Sequence, residues 1–252
     1  MTALLNMIAV EAKLFLREPT NVLFGVLFPT GLLLGLGAIP ALQTPSPDYD
    51  GLRPIDVWAP TALVFGIVLI AVQHIPTVIA TYRERGILRR MSTTPVHPRI
   101  VLIAQMIVAF VAVLVSAALM ILVAWAVLGI APPERVGDFA VAFIVGYAAV
   151  LGVSMIPAAL ARTGSAATSI GTLLFVVLMF FGGAFLPRVL MPEVLQRIGE
   201  FVPPGLQALI TAWSPQAGQV TAGSQPFWLQ IAVLAGIAVL TSAIAAKLFR
   251  WE

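Results

Sequence analysis

The chain has 252 residues, of which 60% are hydrophobic and only 10% charged, with a formal net charge of +3. Soluble domains carry roughly a quarter charged residues, so this composition excludes a soluble globular protein. The absence of cysteine excludes disulfides, thiol catalysis and thiolate metal sites. The alternating ten-residue segments that mark a membrane β-barrel are missing, which leaves an all-α integral membrane protein.

Residues 1–19 predict an amphipathic interfacial helix with Leu5, Ile8, Ala9, Ala12, Phe15 and Leu16 on one face. Glu11, Lys13, Arg17 and Glu18 make it too polar to span, so it should lie in the membrane interface. The acidic lead-in and the long apolar run that follows argue against a cleaved signal peptide. A span needs about 20 apolar residues, and six blocks qualify: 21–39, 57–81, 100–128, 139–160, 167–185 and 227–248. In the first, Gly31 and Gly35 give a spacing that permits close helix contact. Residues 40–56 read as a proline-rich polar loop. Residues 186–225 hold two short apolar-faced helices. The first runs from Pro192 to Gly199; the second opens at Pro204, with Leu206, Leu209, Ile210 and Trp213 on one face. Too short to span, they should dip into the outer, extracellular membrane surface as re-entrant helices or cap a cavity.

Residues 82–98 form the only long polar insertion between two strongly apolar blocks. Ile87, Leu88 and Met91 share one face of a short helix that should end at Thr94, because Pro95 disfavours helical geometry before it. Arg85 and Arg89, four apart, repel one another, and Arg90 adds a further charge. A basic amphipathic helix of this kind reads as a docking element; a positively charged loop that only fixes topology is the alternative. The positive-inside rule orients the chain. With the N-terminus inside, Lys13, Arg17, Arg83, Arg85, Arg89, Arg90, Arg99, Arg162, Lys247 and Arg250 are cytoplasmic, leaving Arg53, Arg135, Arg188 and Arg197 outside. Both termini are then cytoplasmic in a multi-pass protein of the inner or plasma membrane. The basic balance reflects this sorting and not nucleic-acid binding.

No phosphate loop, His-Glu-x-x-His pair or nucleophile elbow occurs, and no acidic residue falls in the middle of a span. No catalytic or metal site is expected, and any energy for work must arrive from outside the chain. Gln73 and His74 are polar groups within a span, suited to interhelical hydrogen bonding or to facing a substrate. Phe175, Met179 and Phe180, beside Gly182 and Gly183, suit a bulky apolar ligand or ordinary packing.

Taken in order, Leu-Arg-Glu-Pro at 16–19, Leu-Phe-Pro at 27–29, Arg-Glu-Arg-Gly-Ile-Leu-Arg-Arg-Met with Thr-Pro across 83–95, and Gly-Gly-Ala-Phe-Leu-Pro at 182–187 followed by Met191, Pro192 and Leu195 resemble the membrane subunit of an ABC-2 type ATP-binding-cassette exporter. The drug-resistance branch, of the daunorubicin-exporter kind, is most similar because the polar loops are short. The resemblance implies a six-span permease paired with a second copy or paralogue and two cytosolic ATPase subunits. These subunits would hold ATP and magnesium, with no cofactor in this chain. It implies that the interfacial helix and the coupling helix (Arg85, Ile87, Leu88, Arg89, Arg90 and Met91) contact the ATPase. Spans one, two and five would line the path, with Gln73, His74, Phe175, Met179 and Phe180 as candidates. Exporters of polysaccharide, teichoic acid or glycolipid share this architecture. A lipid-modifying membrane enzyme would need a richer polar constellation at one depth, and a channel would need no docking helix.

Overall fold

The computed structural model describes residues 2–91, 99–183, 185, 191–221 and 223–249, and among these there is no strand. The helices in chain order are α1 (Thr2–Arg17), α2 (Asn21–Gly37), α3 (Pro40–Gln43), α4 (Pro54–Glu84), α5 (Ile87–Met91), α6 (Arg99–Leu128), α7 (Val136–Leu160), α8 (Gly164–Phe181), α9 (Glu193–Gly199), α10 (Leu206–Trp213), α11 (Pro215–Val220) and α12 (Phe227–Leu248). The helix end expected at Thr94, Ala184, and the residues 186–190 of the glycine-rich passage lie outside the described residues.

Five helices (α4, α6, α7, α8 and α12) are long and apolar enough to cross a membrane; α1 and α2, bent by 94° at a short break, supply a sixth if the pair counts as one. Large apolar side chains point outward all along them, among them Leu122, Trp125, Leu173, Val239 and Leu240. A water-soluble monomer does not expose apolar surface on that scale.

Two of these helices are locally widened. Asn21–Leu27 in α2 and Leu69–His74 in α4 are π-helical. Each widened stretch is followed, after one intervening residue, by a proline, Pro29 and Pro76. A proline offers no N–H and its ring crowds the carbonyl four residues back, here Gly25 and Val72, so the turn opens to take in an extra residue. The two wide turns pack on each other at Gly25, where a Cβ would stand 2.8 Å from Ile70 Cγ1. Ser116 of α6 donates to the Val26 carbonyl at 3.1 Å. Gly31 and Gly35, by contrast, meet nothing within 4 Å; the close contacts inside the subunit fall to Gly25 and Gly37 instead.

At the end of the bundle away from α1, the polar loop of 40–56 is partly folded, into α3 and a 3-10 turn at Pro47–Tyr49. Arg53 pairs with Asp56 and donates to the Leu128 and Gly129 carbonyls at 3.2 Å. Of the two expected capping helices, α9 begins after Pro192 as anticipated, whereas α10 does not lie on a surface: it is buried against α7, α4 and α12. Trp213 Nε1 donates to the Ala131 carbonyl at 3.0 Å, and the Glu134 and Arg135 amides pair with the end of α10. The Glu200 carboxylate, fully buried, accepts from the Ser224 and Gln225 amides and the Ser224 hydroxyl at 2.9–3.0 Å.

Candidate functional site

The site lies at the basic end, between α1, the wide turn of α2 and the inner stretch of α4. An open groove of about 480 Å³ is lined by Phe15, Asn21, Phe24, Gln73, His74 and Thr77, among others, with Thr168 of α8 at its edge. A second cavity of about 400 Å³ continues from it toward Glu11, Tyr82, Arg85 and Gln105. The α4–α8 contact beside the groove is a polar seam. Gln73 donates to Thr172 at 3.3 Å, Thr77 and Thr168 hydroxyls meet at 3.0 Å, and Gly164 sits directly under Thr81. Residues 73, 77 and 81 repeat at four, so one edge of α4 carries its whole side of the seam. Gly171 completes it, since a Cβ there would stand 2.7 Å from the Val72 carbonyl oxygen.

The His74 and Phe15 rings meet in a T at 5.0 Å, and the buried His74 Nε2 has no hydrogen-bond partner among the described residues. Phe24, Phe28, Phe65 and Phe175 form a chain of ring contacts at 5.8–6.2 Å that leads away from the groove across α2, α4 and α8. Of the expected path residues, Gln73 and His74 share the groove wall, and Phe175 ends the aromatic chain. Met179 does not join them: it is fully buried in the subunit core. Phe180 packs on Phe181 at 5.4 Å.

The segment expected to couple to an ATPase also differs from the expectation in one residue. Gly86, at φ 65°, turns the chain out of α4, and Arg90 closes the turn by donating to the Arg85 carbonyl at 3.0 Å. Arg85, Arg89 and Arg90 are exposed, and Ile87 and Met91 half-buried, but Leu88 is 1% exposed within its own subunit. A five-residue helix is not stable alone; Leu88 is the anchor that seats it.

The polar cluster that sequence reasoning missed centres on Glu11. This residue, expected on the polar side of α1, is 3% exposed and lies on the packing face with Ile8, Ala12 and Phe15. Its carboxylate accepts from Tyr82 Oη at 3.0 Å and from Gln105 Nε2, a lone amide in the apolar run of α6. That isolated glutamine was the one sequence signal available. Burial pushes the Glu11 carboxyl up from its ordinary range, against the two hydrogen bonds that favour its charged form. A raised folded-state value means that α1 docks most firmly below the usual carboxylate range and loosens as pH rises through the raised value. The protection of the α1 amides, after division by the intrinsic rise of exchange with pH, should therefore fall as pH rises, and Glu11→Gln, which keeps a donor and an acceptor in place, should flatten that fall. Arg17, Glu18, His74 and Arg85 line the same cavity, so the pH dependence is read as the difference between the two proteins.

Among the described residues no group of three or more metal-ligating side chains occurs. The arrangement offers a mixed aromatic and hydrogen-bonding surface within a helical bundle. A family model described as ABC-2 type transporter matches residues 2–204. No curated protein matches the chain.

Proposed function

This chain belongs to the ABC-2 type transporter family and is thereby an ABC transporter permease; on that premise we propose that it exports amphipathic, drug-like or lipid-like compounds, driven by ATP hydrolysed on a separate subunit. The observation that carries this reading is the groove, where Gln73, His74 and Thr77 face Phe15 and Phe24. A site that is mostly apolar with a few convergent polar groups suits an amphipathic ligand. Losing one such hydrogen bond weakens binding by about twofold to tenfold. Gln73→Ala and His74→Ala should therefore shift the relative export rates within a panel of cationic and neutral dyes by about that factor, at unchanged protein abundance. Equal loss of export for every dye together with loss of folded protein would instead assign both residues to packing.

In this reading α2 is the first of six spans, and α1, α5 and both termini are cytoplasmic. The exposed Arg85, Arg89 and Arg90, with the edges of Ile87 and Met91, form the surface offered to the ATPase. A second permease copy would lie against α2, whose Gly31 and Gly35 border open space. In intact cells an impermeant thiol reagent should label Asp48→Cys and leave Arg89→Cys unlabelled until the membrane is permeabilised; the reverse pattern overturns the orientation.

A further inference from the structure

We propose that Arg83 and Glu84 transmit the movement of α5 to the α7–α8 turn and to the residue following α12; this rests on the permease reading above. The two residues precede α5 by only the Arg85–Gly86 turn, and neither lines the groove. Arg83 is half-buried, and its guanidinium gathers three carbonyls at the C-terminal end of α7: Ala158 at 2.7 Å, and Ala159 and Ala161 at 3.1 Å. It also lies over the Phe249 ring, 5.2 Å from the centroid, just past the end of α12. Its neighbour Glu84 accepts from the Gly164 amide at 2.9 Å, at the first residue of α8.

The charges match the helix ends they meet. The C-terminal end of a helix carries partial negative charge and the N-terminal end partial positive charge, so Arg83 and Glu84, consecutive in sequence, hold opposite poles of two consecutive helices. Gly164 brings the turn hard against α4, because a Cβ there would run into the Thr81 hydroxyl. A side chain bonded only to its own helix would confine a push on α5 to α4. The Arg83–Glu84 pair instead fastens the lower end of α4 to α7, α8 and Phe249, so these ends shift as one body. Both are positioning residues. Arg83 uses a planar, several-donor fork that lysine cannot reproduce.

The test follows amide exchange in the intact complex of the permease and its co-purifying ATPase, in lipid nanodiscs, with and without ATP plus vanadate. In the wild type, trapping should change exchange in 87–91 and in 159–166 together. In Arg83→Gln and in Glu84→Gln the response at 87–91 should persist, while that at 159–166 falls to within about twofold of none; Arg83→Lys should restore part of it. A purely stabilising role would raise exchange at 159–166 in both nucleotide states and leave the difference intact, which overturns the proposal. So does a wild-type complex in which 87–91 responds and 159–166 does not, a result that needs no variant to fold. A wild-type complex with no nucleotide response at 87–91 overturns the permease reading itself.

Discussion

Leu88→Asp is expected to strip the ATPase partner from this permease, and to do so from inside the subunit. Leu88 is 1% exposed, and burying such a side chain contributes roughly 1.5–3 kcal/mol. An ionised carboxylate in its place cannot stay buried unpaired, so the side chain must leave and take α5 with it. A five-residue helix does not persist once its anchor is gone. The loss corresponds to about a tenfold to hundredfold weakening even before any direct contact is counted. Co-purification should fail, and proteolysis between 85 and 91 should quicken in the permease alone. Arg89→Ala removes an exposed charge and should weaken association by no more than about fivefold, since exposed ion pairs contribute about 0–1 kcal/mol. If Leu88→Asp leaves both association and protease resistance unchanged, α5 is not the docking element.

The second large effect is expected at Gly146, in the middle of α7. A Cβ there would collide with the Pro204 carbonyl oxygen, backbone that cannot swing aside as a side chain can. Overpacking of a well-filled core costs about 1–3 kcal/mol, and Gly146→Val adds two further methyl carbons to the clash. Thermal unfolding in detergent should fall by several degrees, with the segment around α10 the first to lose protection from exchange. Gly137, on the first turn of the same helix, meets nothing within 4 Å. There alanine should be neutral or add about 0.5–1 kcal/mol, because glycine is the weaker helix former. Equal behaviour of the two variants would mean that the α10 segment does not pack on α7 as described.

The helices themselves were largely legible in the residues. The block at 100–128 becomes α6, Arg99–Leu128, and that at 227–248 becomes α12, Phe227–Leu248, because long apolar runs leave little choice of element. The block at 57–81 grows to Pro54–Glu84: proline is tolerated in a first turn, and Arg83 and Glu84 find partners on α7 and α8. Partners are what periodicity does not encode. Three apolar residues on a five-residue helix do not say that Leu88 turns inward while Ile87 and Met91 stay at the edge. The spacing of Phe175, Met179 and Phe180 does not separate an aromatic that ends a ring chain from a methionine sealed in the core. Glu11 was hidden for the same reason. A carboxylate in an amphipathic stretch reads as solvated until the bend after α1 brings it to Tyr82 and Gln105.

The two ends of the bundle should also respond differently to ionic strength. Among the described residues Glu200 is held by N–H and O–H dipoles, with no counter-ion in contact, and such bonds act over ångströms around a fully buried carboxylate. Arg85, Arg89 and Arg90 stand in solvent, where screening takes hold beyond about 8 Å at physiological salt. Raising the salt concentration therefore leaves the Glu200 end closed as it was, while the long-range field of the arginines around α5 fades. One molecule thus carries an end that dissolved salt leaves alone and an end that it tunes.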